Sequence, residues 1–142
     1  MGHKLGTAVL VVAVLFCLLT TLSSGVDPET FARRLGLSLS NAGGINEIRA
    51  QYAGFFLAIA VVCGLSLAAV LPRQVSFVLL SAIFGGLLFG RLVSWGMNRG
   101  FSGYSETIRS LYLIDALGLA LALTALAYDN PRAQAAAEFF SD

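Results

Sequence analysis

Four apolar stretches dominate this chain: Leu5–Leu22, Tyr52–Leu71, Val75–Gly90 and Leu111–Tyr128. Together they span 72 of the 142 residues and hold one charged side chain, that of Asp115. The other 70 residues carry the remaining 16 charges. A soluble core interleaves polar and apolar positions more finely, so runs of this length belong in lipid. A helix rises about 1.5 Å per residue and needs about 20 apolar residues to cross about 30 Å of hydrocarbon. The first, second and fourth stretches nearly meet that length as they stand. The third does so once extended through Arg91 to Trp95, with the Arg91 stem snorkelling toward the headgroups and Trp95 as an interfacial anchor. The expected fold is all-α, a single integral membrane four-helix bundle over 1–142. Its transmembrane helices are expected at about 5–24, 47–71, 75–95 and 106–128, with a C-terminal tail over 129–142. No ten-residue alternation of barrel strands is present.

The first stretch also has features of a signal peptide, with Lys4 before it and Ser23-Ser24-Gly25 after it. Its apolar run of 18 exceeds the 7–15 residues of a signal core, which favours a retained helix. Between the first two spans, Asp27-Pro28-Glu29 reads as an N-cap, a first helical position and an acidic first turn. Gly36 ends that turn, giving a short helix on the membrane surface. Asn41-Ala42-Gly43-Gly44 is then expected as a loop, with Asn46 as the cap of the second span. Pro72-Arg73-Gln74 reads as a tight turn, Ser105 as the cap of the fourth span and Asp129-Asn130-Pro131 as its end. The tail reads as helical or disordered, with Phe139 and Phe140 available to lipid.

Counting crossings places both long connections on one face of the membrane. Arg49, Tyr52, Arg91, Glu106, Arg109 and Asp115 all lie toward that face, and the opposite face is nearly bare. Asp115 is the strongest single signal. It lies four residues past Leu111, about 6 Å into the apolar run, where an ionised group must face the bundle and pair. Arg49 and Arg91 stand at similar depth as its candidate partners. Two roles are open: a structural ion pair that fixes helix register, or the polar end of a ligand or proton site. Arg49 and Tyr52 share a helix face and suit a phosphate, carboxylate or quinone carbonyl, or simple interfacial anchoring. Gly86-Leu87-Leu88-Phe89-Gly90 is a GxxxG pattern that permits close helix approach. Gly54, Gly86, Gly90 and Gly118 are the expected packing positions, read first as internal faces and alternatively as a homodimer seam.

Other chemistry is excluded or lacks residues. Nine Lys+Arg against eight Asp+Glu leave no basic stripe for nucleic acid. Cys17 and Cys63 sit in apolar runs at different implied depths and read as small packing residues rather than a disulfide. His3 is the single histidine and has no partner for a metal. The chain has no HExxH, GxSxG, CxxC pair or phosphate-cradling loop. No catalytic group, metal or cofactor is therefore expected. Orientation is divided: six Lys and Arg against three favour the elaborated face inside, whereas the flanks of the first helix favour cytoplasmic termini.

The segment Asn46-Glu47-Ile48-Arg49-Ala50-Gln51-Tyr52-Ala53-Gly54-Phe55, the later Gly90-Arg91-Leu92 and an acid early in the last span resemble a bacterial family. Its members are small four-helix membrane proteins known only as a domain of unknown function. The family pattern is Asn-Glu-x-Arg-x-x-Tyr-Gly-Gly, then Gly-Arg, then Glu in the fourth helix. Here Ala53 replaces a glycine and Asp115 stands for the Glu. The resemblance implies a polar cluster of Asn46, Glu47, Arg49, Tyr52, Arg91 and Asp115, and brings no activity with it. In fold alone the chain is more distantly similar to DoxX-like proteins. Eight Arg to one Lys fits a bacterium with a GC-rich genome. The leading expectation is a non-enzymatic inner-membrane protein that serves as an accessory or assembly partner of a larger membrane complex. The alternative is a lipid-, quinone- or small-molecule-binding protein or transporter subunit using the Arg/Asp cluster, and a membrane enzyme is a third. Expected partners are the bilayer and either other membrane subunits or a second copy.

Overall fold

The computed structural model describes residues 2–129, and all of its regular structure is helical. The tail expected at 129–142, with Phe139 and Phe140, lies outside the described residues from 130 onward, as does the side chain of His3. The elements are α1 (Gly2–Val26), α2 (Pro28–Arg34), α3 (Ala42–Ile48), a π-helical segment (Arg49–Gly54), α4 (Phe55–Leu67), α5 (Arg73–Met97) and α6 (Glu106–Tyr128). Four spans are long and apolar enough to cross a membrane: Lys4–Val26, Ala42–Leu67, Arg73–Met97 and Glu106–Tyr128. Their outer faces suit lipid. Leu19, Leu22, Phe89 and Leu113 are each at least 60% exposed, a cost in water that the bilayer removes. This is a multi-pass membrane protein.

Local chemistry sets the helix ends. Asp27 accepts from the Thr30 amide at 3.0 Å with Pro28 at the first helical position, and this starts α2. That bond, with the Thr30 hydroxyl next in weight, holds the Asp27 carboxyl below the usual carboxylate range. Gly36, at φ +77°, stops α2: its amide reaches Arg33 O at 3.0 Å and the Leu37 amide reaches Ala32 O at 2.9 Å. Ser105 caps α6 through the Ile108 amide at 3.3 Å.

The second span departs from expectation at both ends. Asn41, not Asn46, is the cap, accepting from the Gly44 amide at 3.0 Å, so Ala42–Gly44 is the first helical turn rather than a loop. Two glycines in that turn are poor helix formers, which hides the start from a sequence reading, but the Asx cap compensates. The other end stops at Leu67, not at 71, because Ala69 turns left-handed at φ +58°. The Val70 amide then returns to Leu65 O at 2.9 Å. Arg73 already belongs to α5, so the turn is Ala68–Pro72 rather than Pro72–Gln74. A left-handed conformation costs an L-residue roughly 1–2 kcal/mol, and glycine gives back roughly 0.4–1 kcal/mol of that through the unfolded chain. Ala69→Gly should therefore stabilise by about 0.5 kcal/mol, read as a small rise in Tm in detergent; a fall would show that Ala69 has contacts worth more than its backbone strain.

The helices associate as two pairs, α1 with α4 and α5 with α6, joined chiefly by α1 on α6 and α4 on α5. The dry core occupies only the half nearest the bare face. It contains Leu10, Ala13 and Cys17 of α1, Ile59, Ala60 and Cys63 of α4, Phe77 and Leu80 of α5, and Ala122 and Ala125 of α6. The two cysteines, expected at different depths, share this core, and both thiols are free. Gly6 lets the Phe77 ring approach α1, since a Cβ there would stand 3.1 Å from it. Ser66 and Ser76 bond each other at 2.9 Å within the buried α4–α5 contact. Arg73 donates to Thr7, tying the bare ends of the two pairs together, and Gln74 donates to Asp129 O at 3.0 Å, holding α5 to the end of α6 within one pair.

Candidate functional site

Toward the opposite face the two pairs part, and a cleft of about 720 Å³ opens between them. That size lies within the usual range of ligand pockets, about 300–1,000 Å³. Its floor is the dry core, reached at Cys17, Ile59 and Leu80, and its apolar walls include Phe16, Phe56, Ile83 and Phe84. Phe31, Arg34, Leu35 and Leu37, from α2 and the turn after it, line it as well.

One wall is the π-helical segment Arg49–Gly54, from which Gln51 and Tyr52 line the cleft. A π turn carries an extra residue and interrupts the regular ladder, and such bulges concentrate at functional sites. α1 supports this one at two points. Thr21 donates its hydroxyl to Ala53 O at 3.2 Å, and Arg49 donates Nε to Gly25 O at 3.3 Å. The approach at Gly25 is close but not tight, since a Cβ on it would stand in ordinary contact with the Ala53 methyl at 3.5 Å. Tyr52 then packs between Phe31 at 4.9 Å and Phe56 at 6.4 Å between ring centroids, so α2 rests on the π segment through aromatic contact.

The facing wall carries the charge. Arg91 of α5 donates Nε to Oδ2 of Asp115 on α6 at 2.5 Å, and both residues line the cleft. The Asp115 side chain is 3% exposed and that of Arg91 21%. The pair is therefore dry on the α6 side and accessible on the α5 side. Tyr112 donates its hydroxyl to Arg91 O at 2.7 Å and sets its ring 5.9 Å from the guanidinium carbon, within cation–π range. Beyond it, Tyr104 bonds Ser94 at 2.8 Å and accepts from Asn98 at 2.9 Å, which holds its phenol below the ordinary value. Phe101 packs edge-on against both Tyr104 and Tyr112, closing the α5–α6 turn with aromatic rings.

The six residues expected as one polar cluster thus divide. Arg91 and Asp115 form the ion pair, and Tyr52 lines the cleft with them. Arg49 does not pair with Asp115; it is committed to the end of α1, because the π segment packs on α1. Asn46 and Glu47 are exposed on α3 and do not line the cleft. The expected packing glycines also divide. Gly118 lies against the Phe84 ring, as close as 2.7 Å to where a Cβ would be. Gly54 has only the Arg49 carbonyl nearby at 3.7 Å, whereas Gly86 and Gly90 are exposed and have nothing within 4 Å. The GxxxG face is thus not an internal seam. Arg34, Gln51 and Thr107 line the cleft without having been singled out. The position of Phe31 and Leu35 on one face of α2 was the available signal that this helix covers something.

Among the described residues no group of three His, Cys, Asp or Glu could hold a metal ion. The model of a family described as Domain of unknown function (DUF4345) matches residues 6–108, and the chain belongs to that family. The match takes in three spans, the π segment and Arg91, and ends before Asp115. No curated protein and no solved structure matches the chain.

Proposed function

We propose that this member of the DUF4345 family is a non-enzymatic, four-pass protein of the bacterial inner membrane that holds an amphiphile in the cleft between its helix pairs. One observation carries the reading: the Arg91–Asp115 pair lines an open cavity of about 720 Å³ instead of being packed shut. A pair that served only to fix helix register would be sealed by side chains, as the Ser66–Ser76 contact is. Here the apolar floor suits a hydrocarbon or isoprenoid body, and the guanidinium suits a head that accepts hydrogen bonds. The π segment supports the same reading by spending regular helix geometry on one wall of the cleft.

A second reading, as accessory subunit of a larger membrane complex, is favoured by the exposed strip of Ala82, Gly86 and Gly90 on α5. Small residues facing lipid allow another helix to approach. One experiment separates the two. The protein, extracted in a mild neutral detergent, is analysed by native mass spectrometry beside Leu111→Trp, which places an indole in the cleft. The expected result is a one-to-one small-molecule adduct in the wild type that is lost in Leu111→Trp while helical content and Tm are kept. Stoichiometric protein subunits on a chain that carries no adduct would overturn the cleft reading in favour of assembly.

A further inference from the structure

We infer that the cleft selects a singly anionic amphiphile, an apolar chain ending in a carboxylate or a phosphodiester. This rests on the cleft reading above and adds the chemistry of the head. Among the described residues three charged side chains line the cavity: Arg34, Arg91 and Asp115. Asp115 compensates Arg91, so that pair is neutral as a unit. Arg34 is exposed and has no ion pair or hydrogen bond among the described residues. Among the described residues the lining thus holds two arginines against one carboxylate; Arg34 feels the charge of Asp27 at the other end of α2 without pairing with it.

The donors agree with that balance. Asp115 engages Nε of Arg91, and neither Nη of Arg91 has a protein partner among the described residues. These nitrogens carry four N–H groups in a planar fork that matches a two-oxygen anion. An acidic head offers two oxygens to the Arg91 fork and complements the excess of positive charge on the lining. A neutral ester carbonyl satisfies Arg91 alone, and a cationic head meets the like charge of Arg34. A doubly charged phosphomonoester brings a second negative charge toward Asp115, so a single charge fits best. Below the head, Phe16, Phe56, Ile59, Leu80 and Ile83 offer the chain an apolar wall.

The test uses the full chain in phosphatidylcholine nanodiscs with four probes: oleate, methyl oleate, dioleoylphosphatidylglycerol and additional phosphatidylcholine. Retention is read by native mass spectrometry. Oleate should be retained about tenfold over its methyl ester, combining a solvent-screened charge contact with a charge-assisted hydrogen bond. Arg34→Gln should narrow that preference to about twofold without a change in Tm, since Arg34 is exposed and makes no hydrogen bond or short ion pair among the described residues. Retention of phosphatidylglycerol above phosphatidylcholine would assign the head to a phospholipid, and retention of oleate alone would assign it to a free acid; either supports the inference. Equal retention of oleate and methyl oleate, or a preference unchanged in Arg34→Gln, overturns it while leaving an amphiphile cleft intact. Retention of none of the probes, together with no adduct from the native membrane, overturns the cleft reading itself.

Discussion

Asp115→Asn should lower stability by about 2 kcal/mol, between two limits that bracket this site. Removing one partner of a fully buried ion pair costs about 3–5 kcal/mol, because the other charge is left uncompensated. Interhelical hydrogen bonds in membranes average only about 0.6 kcal/mol, with a maximum near 1.7 kcal/mol. Asp115 is almost fully enclosed, but the Arg91 side chain is 21% exposed, and the cleft can hydrate the stranded guanidinium. The loss should therefore exceed that of a hydrogen bond and fall short of that of a sealed pair. A loss of that size would lower Tm in detergent by roughly 5 °C. Asp115→Glu keeps the charge and should lose less than half as much. The double variant Arg91→Gln/Asp115→Asn removes both charges and should recover most of the deficit of Asp115→Asn. An Asp115→Asn protein that melts within 1 °C of wild type would show that the pair contributes nothing to α5–α6 docking.

The second large effect concerns glycines, and the expected order reverses what the GxxxG pattern suggests. A Cβ at Gly118 would meet three Phe84 ring carbons at 2.7–2.8 Å, closer than real carbon contacts allow. The ring is rigid and packs against the core, so α6 must move or Phe84 must leave its position. Overpacking of this kind costs about 1–3 kcal/mol, offset by up to about 1 kcal/mol of helix propensity when glycine becomes alanine. Gly118→Ala should therefore destabilise by about 1–2 kcal/mol, and Gly118→Leu by about 3 kcal/mol or more, with Phe84 driven toward the cleft that it lines. Phe84→Leu in the Gly118→Ala background should restore part of the loss. Gly86→Ala and Gly90→Ala meet nothing within 4 Å and should be neutral or slightly stabilising. Thermal melts of these variants in one detergent settle the order. Equal losses at Gly118 and Gly86 would show that the α5–α6 contact is not where the Phe84 ring places it.

The resemblance to a family of unknown function agrees with the family whose model matches residues 6–108. The structure adds a physical reason why Arg49-Ala50-Gln51-Tyr52-Ala53-Gly54 is distinctive. These six residues are the π segment, and its first residue Arg49 and its fourth, Tyr52, face different neighbours, α1 and the cleft. Nothing in RAQYAG announces a π turn, since its residues are ordinary helix formers apart from one glycine. Its supports, Thr21 and Gly25, lie on another helix, so the sequence pattern shows the residues but not the geometry.

The number of spans, the all-helical class, the short helix at Pro28–Arg34 and the side on which the polar groups gather are legible in the sequence. Each follows from quantities that add along the chain: hydropathy per residue, rise per residue, local caps and the alternation of crossings. Asp115 stands out there as well, because the one charge in four apolar stretches totalling 72 residues needs no partner to be conspicuous. Which arginine meets it is settled by packing. Arg49 and Arg91 lie at similar depth, and the choice depends on helix rotation: α5 turns Arg91 toward α6, while the π segment lies on α1. The same rotations place Gly118 under Phe84 and leave Gly86 and Gly90 exposed. They also pack one half of the bundle dry and leave the other open as a cleft. Hydropathy cannot encode rotation about a helix axis when lipid and core are equally apolar, so in this protein the site is decided by packing.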